Sequence, residues 1–303
     1  MNDIRTVLFF VVTIISTFLL SLPVSEVRIL TPIDTLKPAI VFDLGGVLFD
    51  TNSSIVRKKQ LGMFLSAHYA LRNGAFSGAS IKKQWFSVLN RVAQAHSYSF
   101  AFHNEDGTPI IVKDESGAAL PDYMVEWMSG NRSNKKMYDE LCEGILSLPN
   151  MSATDKAFMI NLTQTFLPEI FVASRKLLAQ TVALLKSLHK KGYPLYILSN
   201  WDRESFELMI KEYPEVFALF DGYIVSGEVK LVKPDLRIYQ ELERQYPHQE
   251  YILIDDQIDN VKAAHACGWS AIKTISGSPN KRALMKAITS ISQAPQKACL
   301  LYQ

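Results

Sequence analysis

The sequence predicts an α/β protein in which a three-layer parallel sheet carries an inserted, mainly α-helical domain. Apolar, strand-like runs alternate with amphipathic helix patterns over residues 178–275. One more strand-like run, at residues 39–42, lies about 130 mostly helical residues upstream of the others. A stretch this long with its own apolar periodicity is too large for a connecting loop. We therefore predict a core of two sequence segments with a cap domain inserted between them.

The first 25 residues predict a signal peptide or a membrane anchor. Residues 7–20 carry no charged side chain, and Arg5 precedes them. This run has the length of a signal-peptide core and is shorter than the ~20 residues of a membrane span. Pro23 makes a signal-peptidase cleavage site here a poor one, so an uncleaved membrane anchor is the alternative to a cleaved signal peptide. The expected location is exported or periplasmic, or tethered to a membrane through this segment, rather than cytoplasmic; residues 26–38 predict a linker.

Residues 39–52 predict the first core strand and the turn after it. Residues 39–42 are apolar and rich in strand formers, and Asp43 and two glycines end the run. Residues 53–177 predict the helical cap, because apolar side chains recur there at spacings of three and four. Turn dipeptides around a strand-like run interrupt this pattern and predict a small hairpin or flap at about residues 99–123.

Residues 178–290 predict the rest of the core, and residues 291–303 a tail. The predicted elements, in chain order, are a helix at 177–192, a strand at 193–200, a helix at 204–212, a strand at 222–226, a helix at 235–245, a strand at 251–256, a helix at 259–268 and a strand at 269–275. Strands that alternate with helices predict a parallel sheet with right-handed crossovers. This is a Rossmann-like arrangement.

The composition excludes several classes of function. The chain has 32 Lys and Arg against 30 Asp and Glu, a net charge of only +2, and no basic stripe that would bind nucleic acid. Its three cysteines are far apart and form no CxxC, which argues against a disulfide framework and a cysteine-based zinc site. We therefore expect no nucleic-acid partner.

Chemically active side chains follow four of the predicted strands. In chain order they are Asp43, Gly45 (through its backbone), Ser199, Asn200, Lys233, Asp255 and Asp256. Ligands of open α/β sheets bind beyond the carboxyl ends of the strands. Carboxylates can hold Mg²⁺, a lysine can neutralise a phosphoryl group, and an aspartate can act as a nucleophile. This set of groups indicates phosphoryl transfer.

On these residues, the chain resembles the haloacid dehalogenase (HAD) superfamily of hydrolases. The four ordered motifs of the family are matched by IVFDLGGVLFD, LYILSN, GEVKLVKPDLRIY and YILIDDQIDN. The nearest similarity is to the branch that includes α-glucose-1-phosphatase and the N-terminal phosphatase domain of epoxide hydrolase. The resemblance implies a HAD core with a cap. It also implies a Mg²⁺-dependent phosphatase that hydrolyses a small-molecule phosphomonoester through an aspartyl-phosphate intermediate.

The resemblance implies a role for each catalytic residue. Asp43 would be the nucleophile, and Lys233 would pair with both the nucleophile and the phosphoryl group. Ser199 and Asn200 would bind the phosphoryl oxygens. A cap that closes over these residues would exclude water and large substrates, which favours a small molecule.

The resemblance also implies a Mg²⁺ site. Asp43 and Asp256 would be direct ligands, and Gly45 would offer its backbone carbonyl. Asp255 would lie behind them or reach the ion through water. The ion would let the anionic Asp43 approach an anionic ester.

Gly45 departs from the family pattern. In the family, the second aspartate of the first motif, which is the general acid/base, occupies this position. A general acid/base contributes roughly 10²–10⁴-fold to a rate. Asp50, seven residues after Asp43, is a candidate replacement. Two alternatives to an active phosphatase stay open: a phosphoester-binding or interaction protein that has lost turnover, and a dehalogenase-type hydrolase. The acidic pair at 255–256 favours the phosphatase over the dehalogenase.

Overall fold

The computed structural model describes residues 37–52, 63–104, 106–114 and 116–275, together with Arg282, Met285, Lys286 and Thr289. The strands are β1 (Ala39–Phe42), β2 (Phe49–Thr51), β3 (Phe102–His103), β4 (Pro109–Ile110), β5 (Arg175–Leu177), β6 (Leu195–Ser199), β7 (Gly222–Val225), β8 (Tyr251–Asp255) and β9 (Ser270–Lys273). The helices are α1 (Met63–Asn73), α2 (Gly78–Ala95), α3 (Asp122–Ser129), α4 (Asn134–Ser147), α5 (Ala153–Thr163), α6 (Pro168–Ala173), α7 (Ala179–Lys190), α8 (Arg203–Glu212), α9 (Pro214–Phe217), α10 (Ser226–Val229), α11 (Leu236–Gln245) and α12 (Ile258–Ala266).

A five-stranded parallel sheet forms the centre of the core, in the order β7-β6-β1-β8-β9. Every residue of β1, β6 and β8 is buried, because helices cover both faces of the sheet. On β1, Ile40 and Phe42 pack in one apolar cluster with α7 and α8. Ala39 and Val41 pack in another cluster with α11 and α12. The predicted three-layer α/β fold is confirmed.

The sheet register brings three strand ends together. Phe42 lies opposite Ile197 of β6 and opposite Ile254 of β8. The residues that follow these positions therefore reach the same edge of the sheet, at the centre of the strand order. This is where the sequence predicts the active site.

The helices between β2 and β5 pack around an apolar cluster of their own. Its most deeply buried members include Leu89 of α2, Met137 of α4 and Phe158 of α5. α2 begins with a capping box, in which the side chains of Ser77 and Ser80 each accept a hydrogen bond from the backbone N–H of the other. A separate cluster agrees with a cap domain. The predicted boundaries of the core, at 39–52 and 178–290, and of the cap, at 53–177, stay predictions.

Two short ribbons lie outside the main sheet. β2 and β5 pair antiparallel, so the chain enters and leaves the cap side by side. β3 and β4 pair antiparallel within the predicted flap. β5 also explains why α7 begins at Ala179, two residues later than the helix pattern predicts: Arg175–Leu177 is held in the ribbon.

Polar contacts join the cap to the core. Asn134 of α4 donates its side-chain amide to Asp202 Oδ1 over 2.7 Å, and Asp202 also caps the amino end of α8. Burial raises the pKa of Asp202 to about 6. Ser226 of the core donates its hydroxyl to the carbonyl of Met128 over 2.7 Å. These bonds orient α3 and α4 over the carboxyl edge of the sheet.

The predicted localisation is contradicted by the helices. Among the described residues, no helix is long and apolar enough to cross a membrane. The longest, α2, has 18 residues, but it buries one face in the cap, through Trp85 and Leu89, and exposes Lys83 on another. The prediction of an exported, periplasmic or membrane-anchored protein, and of a membrane tether, is therefore withdrawn. The predicted signal or anchor at 1–25 and the predicted tail lie outside the described residues.

Candidate active site

The floor of the site is formed by residues at the ends of β1, β6 and β8. Asp43 follows β1 and is held there by a hydrogen bond from its backbone N–H to the carbonyl of Ile254, 3.0 Å long. Ser199, the last residue of β6, donates its hydroxyl to Asp43 Oδ1 over 2.7 Å. Lys233 Nζ lies 3.0 Å from the same Asp43 oxygen and 2.6 Å from Asp255 Oδ2. The structure thus brings the predicted catalytic residues into direct contact.

The floor is buried and strongly charged. Lys233 is 1% exposed, and Asp255 is fully buried. Burial lowers the pKa of Lys233, but the charges of Asp255 and Asp43 outweigh it and leave that pKa raised. Burial raises the pKa of Asp43, and the ammonium of Lys233 opposes this increase. A buried lysine that contacts two carboxylates keeps its charge and can transfer its attraction to an incoming anion.

Three carboxylates converge beside this lysine. Asp43, Asp255 and Asp256 each offer an oxygen atom, and these atoms lie within 4.8 Å of one another. Burial, and then the charges of Asp43 and Asp255, raise the pKa of Asp256 to about 7. Hard oxygen ligands in a compact, electronegative cluster suit Mg²⁺. The donor set therefore fits the divalent ion that the sequence predicts.

The surroundings of the cluster hold its shape. Asn260 Nδ2 donates to both oxygens of Asp255 over 3.1 Å, and the backbone N–H of Gln257 donates to Asp255 Oδ1 over 2.8 Å. Gly46 adopts a left-handed φ of +66°, and a Cβ there would lie 2.1 Å from Asp256 Oδ2. Only glycine allows the backbone at residue 46 to approach this carboxylate so closely.

Asn200 makes a contact that the sequence did not predict. Its side-chain amide donates to the carbonyl of Lys233 over 2.9 Å, and its carbonyl oxygen accepts the N–H of Lys233 over 2.7 Å. This pair of bonds fixes the loop that carries Lys233. The predicted contact of Asn200 with a phosphoryl group stays a prediction.

Gly45 and Asp50 lie on the wall of the same cavity. A Cβ at Gly45 would meet a single side-chain atom within 4 Å, Trp201 Cζ3 at 4.0 Å, so a Cβ fits there without a clash. Asp50, on β2, accepts the N–H of Thr51 over 2.7 Å and lies 3.7 Å from Lys176 Nζ. Its role as a replacement acid/base stays a prediction.

The floor opens into a cavity of about 430 Å³ between core and cap. The sequence did not predict the apolar wall of this cavity, to which Trp201 and six further residues contribute. Those six residues are Phe49, Val112, Leu120, Trp127, Met128 and Phe171. They come from β2, from the flap and from α3 and α6, and no motif or spacing links them.

Comparisons with known proteins agree with this geometry. The family model of haloacid dehalogenase-like hydrolases matches residues 37–268. A solved structure of a HAD family enzyme from Bacteroides thetaiotaomicron covers 82% of this chain and 98% of its own, with a TM-score of 0.50 and 16% identity, and so shares the fold.

Two curated relatives are similar over part of the chain. A sesquiterpene phosphatase of Aspergillus oryzae is 33% identical over 92 residues, which are 30% of this chain and 46% of that protein. A drimenol cyclase of Aspergillus calidoustus is 28% identical over 110 residues, which are 36% of this chain and 20% of that protein. The matches thus span less than half of each relative.

Proposed function

We propose that this chain, which belongs to the haloacid dehalogenase-like hydrolase family, is a Mg²⁺-dependent phosphatase of small-molecule phosphate monoesters. One observation carries the proposal: Lys233 Nζ contacts both Asp43 and Asp255 in a buried floor beside a third carboxylate, Asp256. A buried nucleophile, cation and acidic cluster are the groups that phosphoryl transfer requires. The partial similarity to a sesquiterpene phosphatase supports the same reaction.

The floor supports a two-step displacement. Asp43 attacks the phosphorus atom, the bond from phosphorus to the alcohol oxygen breaks, and an aspartyl-phosphate forms. Water then attacks this phosphorus as its bond to the Asp43 oxygen breaks, which releases the Asp43 carboxylate and inorganic phosphate. The proton that the water loses balances the proton that the alkoxide takes up to leave as an alcohol. Ser199 and Lys233, which contact Asp43, are close enough to turn to the phosphoryl oxygens as negative charge builds there. Mg²⁺ bound at Asp43, Asp255 and Asp256 would supply positive charge to the phosphoryl group.

The test is release of phosphate by the full-length protein, with Mg²⁺ and after treatment with EDTA, from p-nitrophenyl phosphate and a panel of phosphate monoesters. We expect turnover with Mg²⁺ and loss of at least about 100-fold in EDTA, because the ion stabilises charge in the transition state. Turnover that EDTA leaves unchanged would contradict the metal site. Chloride release from 2-chloropropionate, with no phosphate release, would favour the dehalogenase.

The glycine at position 45 favours a second candidate function, in which the protein binds a phosphoester without turnover. This candidate can be tested directly. An alcohol leaving group needs a proton, and Gly45 offers no carboxyl group to supply it. We expect Gly45→Asp to raise kcat for alkyl phosphates by at least about tenfold, because a general acid contributes roughly 10²–10⁴-fold. A Cβ at residue 45 would lie 4.0 Å from Trp201 Cζ3, so the first atom of the new side chain meets no clash.

The leaving group and a matched variant provide the controls for this change. p-Nitrophenolate departs without a proton, so Gly45→Asp should leave kcat for p-nitrophenyl phosphate nearly unchanged. Gly45→Asn adds the same volume without an acid and should not raise either rate. Equal rates in the two variants would mean that proton supply at residue 45 does not limit turnover.

A further inference from the structure

The cavity above the floor has a charged end and a more apolar wall. Its phosphoryl end is formed by Asp43, Ser199, Lys233 and Asp256, whereas its upper wall is mainly aromatic and aliphatic. Small-molecule sites of about 300–1,000 Å³ use their apolar wall to hold the body of a ligand and a few polar groups to orient it. At about 430 Å³, this cavity has room for an organic group beyond the phosphoryl group.

Four aromatic rings form a continuous wall from the core to the cap. Phe49 and Trp201 lie 6.5 Å apart between ring centroids, Trp201 and Phe171 lie 5.0 Å apart, and Phe171 and Trp127 lie 5.0 Å apart. Each pair packs edge to face, with interplanar angles of 61°, 79° and 74°. Such packing makes a rigid apolar surface. The wall starts beside the phosphoryl end, because Trp201 Cζ3 is 4.0 Å from the position of a Cβ on Gly45.

The flap completes the apolar enclosure. Val112 and Leu120 line the cavity and are joined by a hydrogen bond from the N–H of Leu120 to the carbonyl of Val112 over 2.9 Å. Lys113 fastens this part of the flap to the core through Asp259, 2.7 Å away. Ile111, by contrast, is 56% exposed and does not line the cavity. Of these neighbouring flap residues, Val112 therefore faces the cavity and Ile111 faces the solvent.

Several charged groups on the wall already have protein partners. Asp50 lies near Lys176, Lys113 pairs with Asp259, and Arg175 donates to the hydroxyl of Thr51 over 2.8 Å. Recognition of a sugar needs polar groups that are available to its hydroxyls, because an unpaired buried hydroxyl costs free energy. Beside these groups and the polar side chains of Thr51 and Gln257, the wall offers a ligand an aromatic and aliphatic surface.

We infer that the alcohol part of the substrate is apolar, and that it lies against Trp201, Phe171, Trp127, Val112 and Leu120. This rests on the proposed function for the other end of the substrate, the phosphate ester. The wall binds the hydrocarbon body and the floor binds the phosphoryl group, so the bond to be broken lies at the junction of the two. Polar sugar phosphates would leave their hydroxyls unpaired against the rings.

The test uses n-alkylphosphonates, from ethyl to octyl, which bind like phosphate esters but are not hydrolysed. Their Kd values for the full-length protein in Mg²⁺ are measured by calorimetry, beside the phosphonate analogue of a hexose phosphate, and turnover is measured with the matching phosphates. We expect Kd to fall about fourfold per methylene, since each buried methylene contributes ~0.8 kcal/mol. The hexose analogue should bind more weakly than octylphosphonate.

Two flap variants locate the apolar group. Leu120→Gln should weaken octylphosphonate at least about tenfold and shorten the length dependence. Val112→Thr, which keeps the volume of the side chain, should also weaken the binding of octylphosphonate. It tests the wall if Leu120→Gln fails to fold. Ile111→Gln makes the same kind of change on the solvent side of the flap and should bind every phosphonate as the wild type does.

The outcomes separate this inference from the proposed function. Length-dependent binding without turnover of any phosphate would sink the phosphatase and leave the apolar site standing. Turnover of hexose phosphates with Kd values independent of chain length would overturn the apolar site and leave the phosphatase. Failure of every phosphonate to bind would also overturn it.

Discussion

Replacing Asp43 with asparagine is expected to lower kcat for phosphate release by at least about 10⁴-fold, because removal of a nucleophile leaves only binding and electrostatic stabilisation. Asparagine keeps the shape of the side chain, and its oxygen can still accept the Ser199 hydroxyl that now lies 2.7 Å from Asp43 Oδ1. Lys233 also keeps its contact with Asp255. The loss of rate should therefore occur in a folded protein.

Asp155→Asn is the matched control for this change. Asp155 is another nearly buried aspartate, 9% exposed, and it lies 3.6 Å from Arg72 in the cap rather than in the cavity. It should keep kcat within about threefold while its melting temperature falls, because breaking a polar network costs stability. Retention of more than about 1% of kcat in a folded Asp43→Asn protein would exclude Asp43 as the nucleophile.

Replacing Lys233 with methionine should lower both activity and stability. The lysine is 1% exposed and contacts two carboxylates, so its removal leaves Asp43 and Asp255 without their cation. Breaking a buried ion pair costs about 3–5 kcal/mol, and loss of one stabilising charge in an active site costs about 10²–10³-fold in kcat. Urea unfolding and initial rates measure the two effects.

The stability loss in Lys233→Met should be smaller in Mg²⁺ than in EDTA, because a bound cation replaces part of the missing charge. Lys230→Met is the matched control in the same loop. Lys230 is exposed and donates to the carbonyl of Gly227 over 3.1 Å and to the carbonyl of Gly130, so its loss should cost about 1–2 kcal/mol, less than the loss of Lys233. If both variants lost stability equally, the buried pairs of Lys233 would not hold the floor together.

The core could be predicted because its elements carry strong local patterns. β1 was predicted at the residues it occupies, Ala39–Phe42, and β6 and β8 lie within their predicted strands. A strand buried on both faces must be apolar throughout, which marks it even in a single sequence. The catalytic groups follow these strands directly, so their convergence followed from the parallel arrangement alone.

Other elements depend on partners far along the chain. β5 has the sequence RKL, which has little strand character, and it becomes a strand because it pairs with β2, about 125 residues earlier. The bonding of Asn200 to the backbone of Lys233 likewise depends on how two loops meet. Neither contact leaves a periodic pattern in the sequence, because it joins residues that no local rule relates.

The sequence by itself determined the parallel α/β core, the family and the residues of the charged floor, because local patterning defines buried strands and the chemistry follows their ends. Only the tertiary structure decided what lies above the floor. Phe49, Val112, Trp127 and Phe171 come from separate segments and meet only when the cap packs on the core. The physical reason is that strand ends converge through a repeating backbone ladder, whereas a cavity wall forms through side-chain packing that has no repeat.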